Sequence, residues 1–485
     1  MSKLNRVSAI SETAQGKVKI ASAFCDDALG KADAVEIALR ISRGEISPKE
    51  AVDAAIKRAN KVNPIINAIV TDRFDQARQQ SLSAGTGVFS GVPTFIKDNE
   101  DVSGMPTRHG SRATSTASVS ESSPFVKQLE STGLITLGKS TLPEFGLTCT
   151  TEPQLTGASA NPWNTSYSTG GSSGGAAALV AAGVVPIAHA NDGGGSTRIP
   201  AACCGLIGLK PSRGRLLAMP GTEKLPINIT NQGVVTRSVR DTAAFYAATE
   251  QHYRNPALPA IGLVKHPGKK SLKMGVYVNR ANGTAVDLDC ATAALDAAKL
   301  CEQLGHKVEL IECPFPQQFV EDFSNFWYAI VFATHRLGKK IHGDEFQNDK
   351  MENFNKQSSN RFIRNMWRLP FLIHRIRKFQ HYYENVFKQY DILISPTNGI
   401  TTPKLGYFGP DIPYELSRER VVEYAYTTQF QNASGAPAIS LPMGMSSMGL
   451  PVGVQFASAT GGERLLLELA LALEEAQAWQ SLANH

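Results

Sequence analysis

Ser168–Arg198 reads STGGSSGGAAALVAAGVVPIAHANDGGGSTR, and its layout decides the architecture. Two polar, glycine-packed loops, Gly170–Gly175 and Gly193–Ser196, flank an apolar run that splits into a helix-forming half, Ala176–Ala182, and a strand-forming half, Val184–Ala190. Glycines carry no Cβ, so chain and ligand can approach closely and unusual backbone angles cost little. Each loop offers a serine on a connection pinned by β-branched and alanine-rich segments, which flexible linkers lack. Two such serines make a candidate reaction centre. It still needs a base, an anion site and a substrate wall.

Outward from this stretch, strands and helices keep alternating. Ala32–Gly44 has helical apolar spacing, and Ser47-Pro48 opens a second helix as N-cap and first-turn proline. Residues 66–72, 92–98 and 134–137 read as strands, with helices over 74–83 and from the Ser123-Pro124 cap. Another helix covers 241–250. KMGVYV (273–278), an alanine-rich helix over 286–304 and HKVELIE (306–312) form a βαβ-like unit, and residues 317–390 read as helical and aromatic-rich. Strands at 391–397, 437–442 and 451–457 and a helix at 463–475 close the chain. The pattern predicts an α/β fold, a mixed sheet covered by helices. Within residues 317–390, Trp367 and Phe371 stand one turn apart and read as a core-facing stripe.

Composition narrows the function. Apolar residues make up 42% of 485 and charged residues 19%, an ordinary globular balance. The net charge of +6 is spread along the chain, without a basic block interleaved with aromatics, so no nucleic-acid partner is expected. No apolar run reaches the roughly 18 residues of a membrane span, and residues 8–17 are polar where a secretion signal would be apolar. The seven cysteines are odd in number and contain no CxxC, which suits the cytoplasm.

Two motif matches mislead. Gly133–Ser140 fits GxxxxGK[ST], but a helix precedes it and its Leu-Ile-Thr-Leu middle favours a strand over a phosphate-wrapping loop. Gly170–Gly174 fits GxSxG, but residues 161–169 are polar and turn-rich where a nucleophile elbow follows a buried strand. The late histidines, 374, 381 and 485, are also poorly placed for a triad.

A serine needs a neighbour to take its proton. With histidine unconvincing, lysine is next, since a desolvated lysine sheds its proton more readily. GVPTFIKDN (91–99) runs an apolar strand straight into Lys97 and delivers that amine from a buried element to a site edge. Taken alone, such a lysine reads more simply as a solvated strand end beside Asp98.

GVPTFIKDN, GGSSGGAAA and ANDGGGSTRIPA, in this order, resemble the amidase-signature family. LITLGKSTLPEF, SANPWN, GLIGLKPSRGR and PAISLPMG extend the likeness over nearly the whole chain from about residue 30. The resemblance implies that family's fold, a central mixed β-sheet covered by helices on both faces. It implies one domain over 26–485 after a polar arm at 1–25. A peripheral lobe is expected near 270–315 and a helical cap near 317–390.

The resemblance also implies a Ser-cisSer-Lys triad: Lys97 as base, Ser172 as bridge after a cis Gly171–Ser172 peptide, and Ser196 as nucleophile. Backbone N–H groups of Gly193, Gly194, Gly195 and Ser196 are expected to bind the oxyanion. Asp192 and Arg198 are expected to hold the loop, and Ser173 to orient Ser172 or the loop. Thr197 departs from the family's usual aliphatic residue. Thr148, Cys149 and Thr150 lie where relatives build a pocket wall. Cys149 reads more simply as a small buried thiol, and no base in its motif would make it a nucleophile. The expected activity is hydrolysis of carboxylic amides, and of some esters, through an acyl-enzyme, without metal or cofactor. The expected partner is a small-molecule amide, and a homodimer is compatible with the sequence. ANDGGGSTRIPA is similar to the bacterial branch that contains 6-aminohexanoate cyclic-dimer hydrolase. Two rival readings are an amidotransferase A-type glutaminase subunit of a multiprotein complex, and a catalytically silent scaffold of the same fold.

Overall fold

Ser47 starts its helix by a reciprocal box: its Oγ accepts from the Glu50 amide at 3.1 Å while Glu50 Oε2 accepts from the Ser47 amide at 2.7 Å. The structure is a computed structural model describing residues 19–409 and 411–484. Its first half runs α1 (Ala34–Ser42), α2 (Pro48–Ile66), β1 (Ile69–Asp72), α3 (Phe74–Ser81), β2 (Pro93–Lys97), α4 (Pro124–Glu130), β3 (Ile135–Ser140), β4 (Ala160–Asn161) and β5 (Asn164–Ser168). There follow α5 (Gly174–Ala181), β6 (Ile187–Asp192), α6 (Arg198–Cys204), β7 (Ile207–Lys210), β8 (Asn231–Thr236) and α7 (Val239–His252). The second half adds β9 (Lys273–Val276), α8 (Leu288–Gln303), β10 (Lys307–Leu310), α9 (Gln317–Arg336), α10 (Gly338–His342), α11 (Asn353–Asn365) and α12 (Leu369–Val386). The chain closes with β11 (Ile392–Pro396), α13 (Tyr414–Tyr424), α14 (Gln429–Ser434), β12 (Ala438–Met445), β13 (Pro451–Ala457) and α15 (Glu463–Ala476).

Eight strands form a mixed sheet in the order β10-β9-β11-β13-β12-β7-β8-β6, parallel among β10, β9 and β11 and antiparallel elsewhere. The expected α/β architecture is present. A separate three-stranded sheet, β1-β3-β2, lies against the β6 edge. Side chains bridge that seam: Thr94 Oγ1 donates to the Ile187 carbonyl at 2.9 Å, and the Lys97 amide donates to His189 Nδ1 at 3.1 Å. The βαβ unit is not detached from the main sheet, because β9 pairs with β11 and β10 is the outermost strand. Helix α6 rests directly on the strands, since a Cβ at Gly453 would lie 2.4 Å from Ala202 Cβ.

Several boundaries differ from the sequence expectation, each for a physical reason. The strand expected at 184–190 is Ile187–Asp192. Pro186 has no N–H for a ladder, and six cross-strand pairs with β8 carry the strand through the β-averse Asn191 and Asp192. Gly138–Ser140 end strand β3 and are buried, so the GxxxxGKS match forms no phosphate loop. The Trp367–Phe371 stripe does not face the core: the two rings are 65% and 64% exposed. Helix α12 buries a different face, Leu372, Ile376, Phe379 and Tyr383. The polar arm lies outside the described residues up to position 18. Of its remainder, Ala21 and Ala23 are buried, their amides donating to the Pro162 and Ala182 carbonyls.

Candidate active site

Strand β2 ends at Lys97, and the side chain is wholly buried. Its Nζ lies 2.7 Å from Ser172 Oγ, 2.9 Å from Ser173 Oγ and 2.6 Å from Asn191 Oδ1. Burial pulls the amine down to about 7, against the opposing charges of Asp192 and Glu100. Ser172 and Ser173 stand just before α5, and the Gly171–Ser172 peptide is cis. Ser196 occupies the turn between β6 and α6, 7% exposed on the wall of a cleft. The Ser173 amide donates to the Ser196 carbonyl at 3.2 Å, tying the two glycine loops together. Among the described residues no hydrogen bond holds Ser196 Oγ. Such contacts commonly tighten only when substrate binds.

Asp192 and Arg198 form a closed clamp around that turn. Arg198 Nε and Nη2 donate to the two Asp192 oxygens at 2.9 Å each, and the remaining guanidinium hydrogens reach Gln431, Gln455, Asn432 and the Thr428 carbonyl. Burial alone would raise the Asp192 carboxyl. Arg198's charge and hydrogen bonds outweigh it, with Lys210 and Asn432 helping, and hold the group well below the usual carboxylate range. Asp192 also takes the Thr197 amide at 3.2 Å and the Gly195 amide at 2.7 Å.

That last contact corrects the oxyanion expectation at Gly195, whose N–H is already given to a carboxylate. Gly193, Gly194 and Ser196 keep uncommitted amides among the described residues. Gly195 serves the turn differently: its φ is +124°, and a Cβ there would lie 2.4 Å from Thr428 Oγ1, which donates to the Gly194 carbonyl at 2.6 Å.

The cleft beside Ser196 has a volume of about 710 Å³, including its open mouth. Leu147, Phe323, Trp327 and Phe354 supply apolar walls, and Val421 and Val422 of α13 supply another. Trp327 stands over the Gly193–Ser196 turn, 3.5 Å from where a Gly194 Cβ would be, and its Nε1 donates to the Leu147 carbonyl at 3.2 Å. Arg418 also reaches the cleft, but its Nε already donates to Glu415 at 2.8 Å. Of the expected wall residues, Thr148 and Cys149 line the cleft. Burial pushes the Cys149 thiol far up, so it stays protonated. Thr150 does not line it: its Oγ1 donates to Glu152 at 2.6 Å and sits 3.0 Å from Ser168 Oγ.

Among the described residues no histidine competes for the base position. His189 contacts the Lys97 backbone, but its Nδ1 accepts from the Lys97 amide and its Nε2 faces Gln232 Oε1 at 3.0 Å. Burial pushes its imidazole down to about 3. The sequence reading passed over Asn191, Trp327 and Thr428. Asn191 had one signal, its place next to Asp192 at a strand end; the other two reach the turn only through folding. Asn191 Nδ2 is buried without a partner, a cost of about 1–3 kcal/mol that its Oδ1 contact must offset.

Fold and relatives together define the class, the hydrolases that cleave amide carbon–nitrogen bonds. The model of the amidase family matches residues 50–467, and the chain belongs to that family. It is 45% identical over 461 residues to the Mycobacterium tuberculosis protein named "Putative amidase AmiC", covering 94% of this chain and 97% of that one. It is 37% identical over 480 residues to 6-aminohexanoate-cyclic-dimer hydrolase of Paenarthrobacter ureafaciens, covering 92% and 95%. Among solved structures, a 6-aminohexanoate cyclic dimer hydrolase complexed with substrate superimposes with a TM-score of 0.85 at 32% identity, covering 94% of this chain and 99% of that one.

Proposed function

We propose that this amidase acts through Ser196 as nucleophile, Ser172 as proton bridge and Lys97 as base. The observation that carries the reading is the 2.7 Å contact of a buried lysine, its amine drawn down to about 7, with Ser172, while Ser196 opens on the cleft. Ser196 Oγ bonds the amide carbon as its proton passes to Ser172 Oγ, whose own proton passes to Lys97 Nζ. The Gly194 and Ser196 amides, with Gly193 beside them, receive the negative charge on the carbonyl oxygen. The carbon–nitrogen bond then breaks, the proton returns through Ser172 to the leaving amine, and water clears the acyl-enzyme by the same route. Asp192 and Arg198 keep the turn in shape without touching the substrate.

The reading extends to the substrate and the setting. Walls of Phe323, Trp327 and Phe354 suit a carboxylic amide with an apolar aliphatic or aryl acyl group. They do not suit glutamine, whose charged ends would face these apolar rings, and this disfavours the glutaminase reading. Residues 26–485 are read as one domain, and the protein as cytoplasmic, supported by its odd cysteine count. Among the described residues no helix is long and apolar enough to cross a membrane.

The test is covalent labelling with a fluorophosphonate together with turnover of aliphatic and aryl amides. Wild-type protein should label at Ser196 and turn over, while Ser196→Ala should do neither. Undiminished labelling of Ser196→Ala, or label recovered on another residue, would remove the assignment.

A further inference from the structure

Three polar groups surround the Lys97 amine, and their hydrogens decide where its lone pair points. Asn191 Oδ1, 2.6 Å away, has no hydrogen to give. Ser173 Oγ directs its hydrogen at the Asn191 carbonyl 3.3 Å away and accepts the Asn191 amide at 3.3 Å. Towards Lys97, 2.9 Å away, it therefore accepts as well. A neutral amine has two hydrogens and one lone pair. Asn191 and Ser173 claim both hydrogens, which leaves the lone pair facing Ser172 Oγ at 2.7 Å.

We propose that Asn191 is a positioning residue for amide hydrolysis: its side-chain oxygen fixes the rotamer of the Lys97 amine so that the lone pair can take only the Ser172 proton. The inference rests on Lys97 being the base, as proposed above. Turned over, the Asn191 amide would instead give a hydrogen to that lone pair and silence the base. The placement is rigid, because Asn191 sits in strand β6, paired with Gln232 of β8, and its backbone holds Ser173 through both its amide and its carbonyl. It is also kept although Nδ2 finds no partner, so the oxygen and not the amide nitrogen is what the site uses.

The charges that face Lys97 are Asp192 on β6, already clamped by Arg198, and Glu100 just past β2. His189 on β6 holds the Lys97 amide, and the Asp98–Lys139 pair lies across to β3. None of these touches Nζ, whereas position 191 does. A change there acts directly on the amine.

The test is the rate of fluorophosphonate labelling of Ser196 against pH, each variant normalised to its labelling amplitude so that misfolded protein lowers the amplitude and not the rate. Asn191→Asp places a carboxylate on the amine, and the acid limb should move up by about 1–3 pH units. Asn191→Leu removes the acceptor: the limb should move down and the alkaline plateau should fall by ~10–100-fold. Should the leucine variant fail to fold, Asn191→Ser, too short to reach Lys97, takes its place with the same expectation. Opposite shifts establish the role. Limbs that coincide with wild type, or that move in one direction for both variants, overturn it. If the wild-type limb persists in Lys97→Ala, the base assignment falls and takes this inference with it. If that limb disappears in Lys97→Ala yet ignores position 191, only the inference falls.

Discussion

Lys97 shows how one side chain changes meaning with its surroundings. In water its amine would be charged at neutral pH, and burial brings it down to about 7. The neutral form is the one able to accept the Ser172 proton, so activity should be low at acid pH and climb as pH rises through about 7. Below that point kcat/KM should change by about tenfold per pH unit, and Lys97→Ala should abolish both activity and limb. Burial also brings other carboxyls near this window, Asp98 to about 6, Glu352 to about 7 and Asp241 to about 8, and among the charges that act on Lys97 it raises Glu100 to about 7. Glu100 receives hydrogen bonds from Ser123 and Gln232, not from Ser172 or Ser196. A pH profile of Glu100→Gln should keep its limb. A limb that vanished with Glu100 and persisted in Lys97→Ala would exchange the two assignments. His189, pushed down to about 3, is neutral throughout and contributes no limb.

At the scale of elements, the working unit is strand β6, its glycine turn and helix α6. Both flanks are locked: six ladder pairs fix the strand, and small residues let the helix lie on the sheet. The Asp192–Arg198 clamp closes the turn between them, wholly buried. Its worth comes from completeness, since five different partners satisfy the guanidinium. Lysine in its place would keep the charge and lose the fork, leaving Gln431, Gln455 or Asn432 unpaired. Arg198→Lys should therefore lower stability by about 1–3 kcal/mol for each acceptor left unpaired. Thermal unfolding checks this. A midpoint equal to wild type would mean that the turn does not need the clamp. Glycine is demanded at position 195 for the same reason of closeness: the turn passes Thr428 with no room for a side chain.

At the scale of the whole molecule, the cleft exists only because distant segments converge. The turn at 193–196 comes from the main sheet, Leu147–Cys149 from the stretch after β3, Trp327 from α9 and Val421 from α13. Trp327 and Trp367 belong to the same aromatic-rich region, yet one stands over the turn and the other faces solvent. Trp327→Ala should raise KM for bulky acyl amides by roughly tenfold, from the loss of about 1.4 kcal/mol of apolar contact, and leave the pH limb in place. Trp367→Ala should change neither. Equal effects from the two would place the acyl group elsewhere.

The sequence by itself determined the local pieces, while the roles expected of Lys97, Ser172 and Ser196 came from the family resemblance. A strand ending in lysine and two glycine loops each offering a serine are local patterns, legible because spacing and turn chemistry act over a few residues. The α/β alternation was legible for the same reason, down to the Ser47 cap. Only the tertiary structure decided the direction of each polar group. Gly195 gives its amide to Asp192, Thr150 turns to Glu152, Asn191 meets Lys97, and α12 buries a face that leaves out Phe371. Hydrogen bonding and burial at these sites join residues that are remote in sequence or turn on angles that no residue pattern encodes. The competition among partners is settled only when the chain has folded.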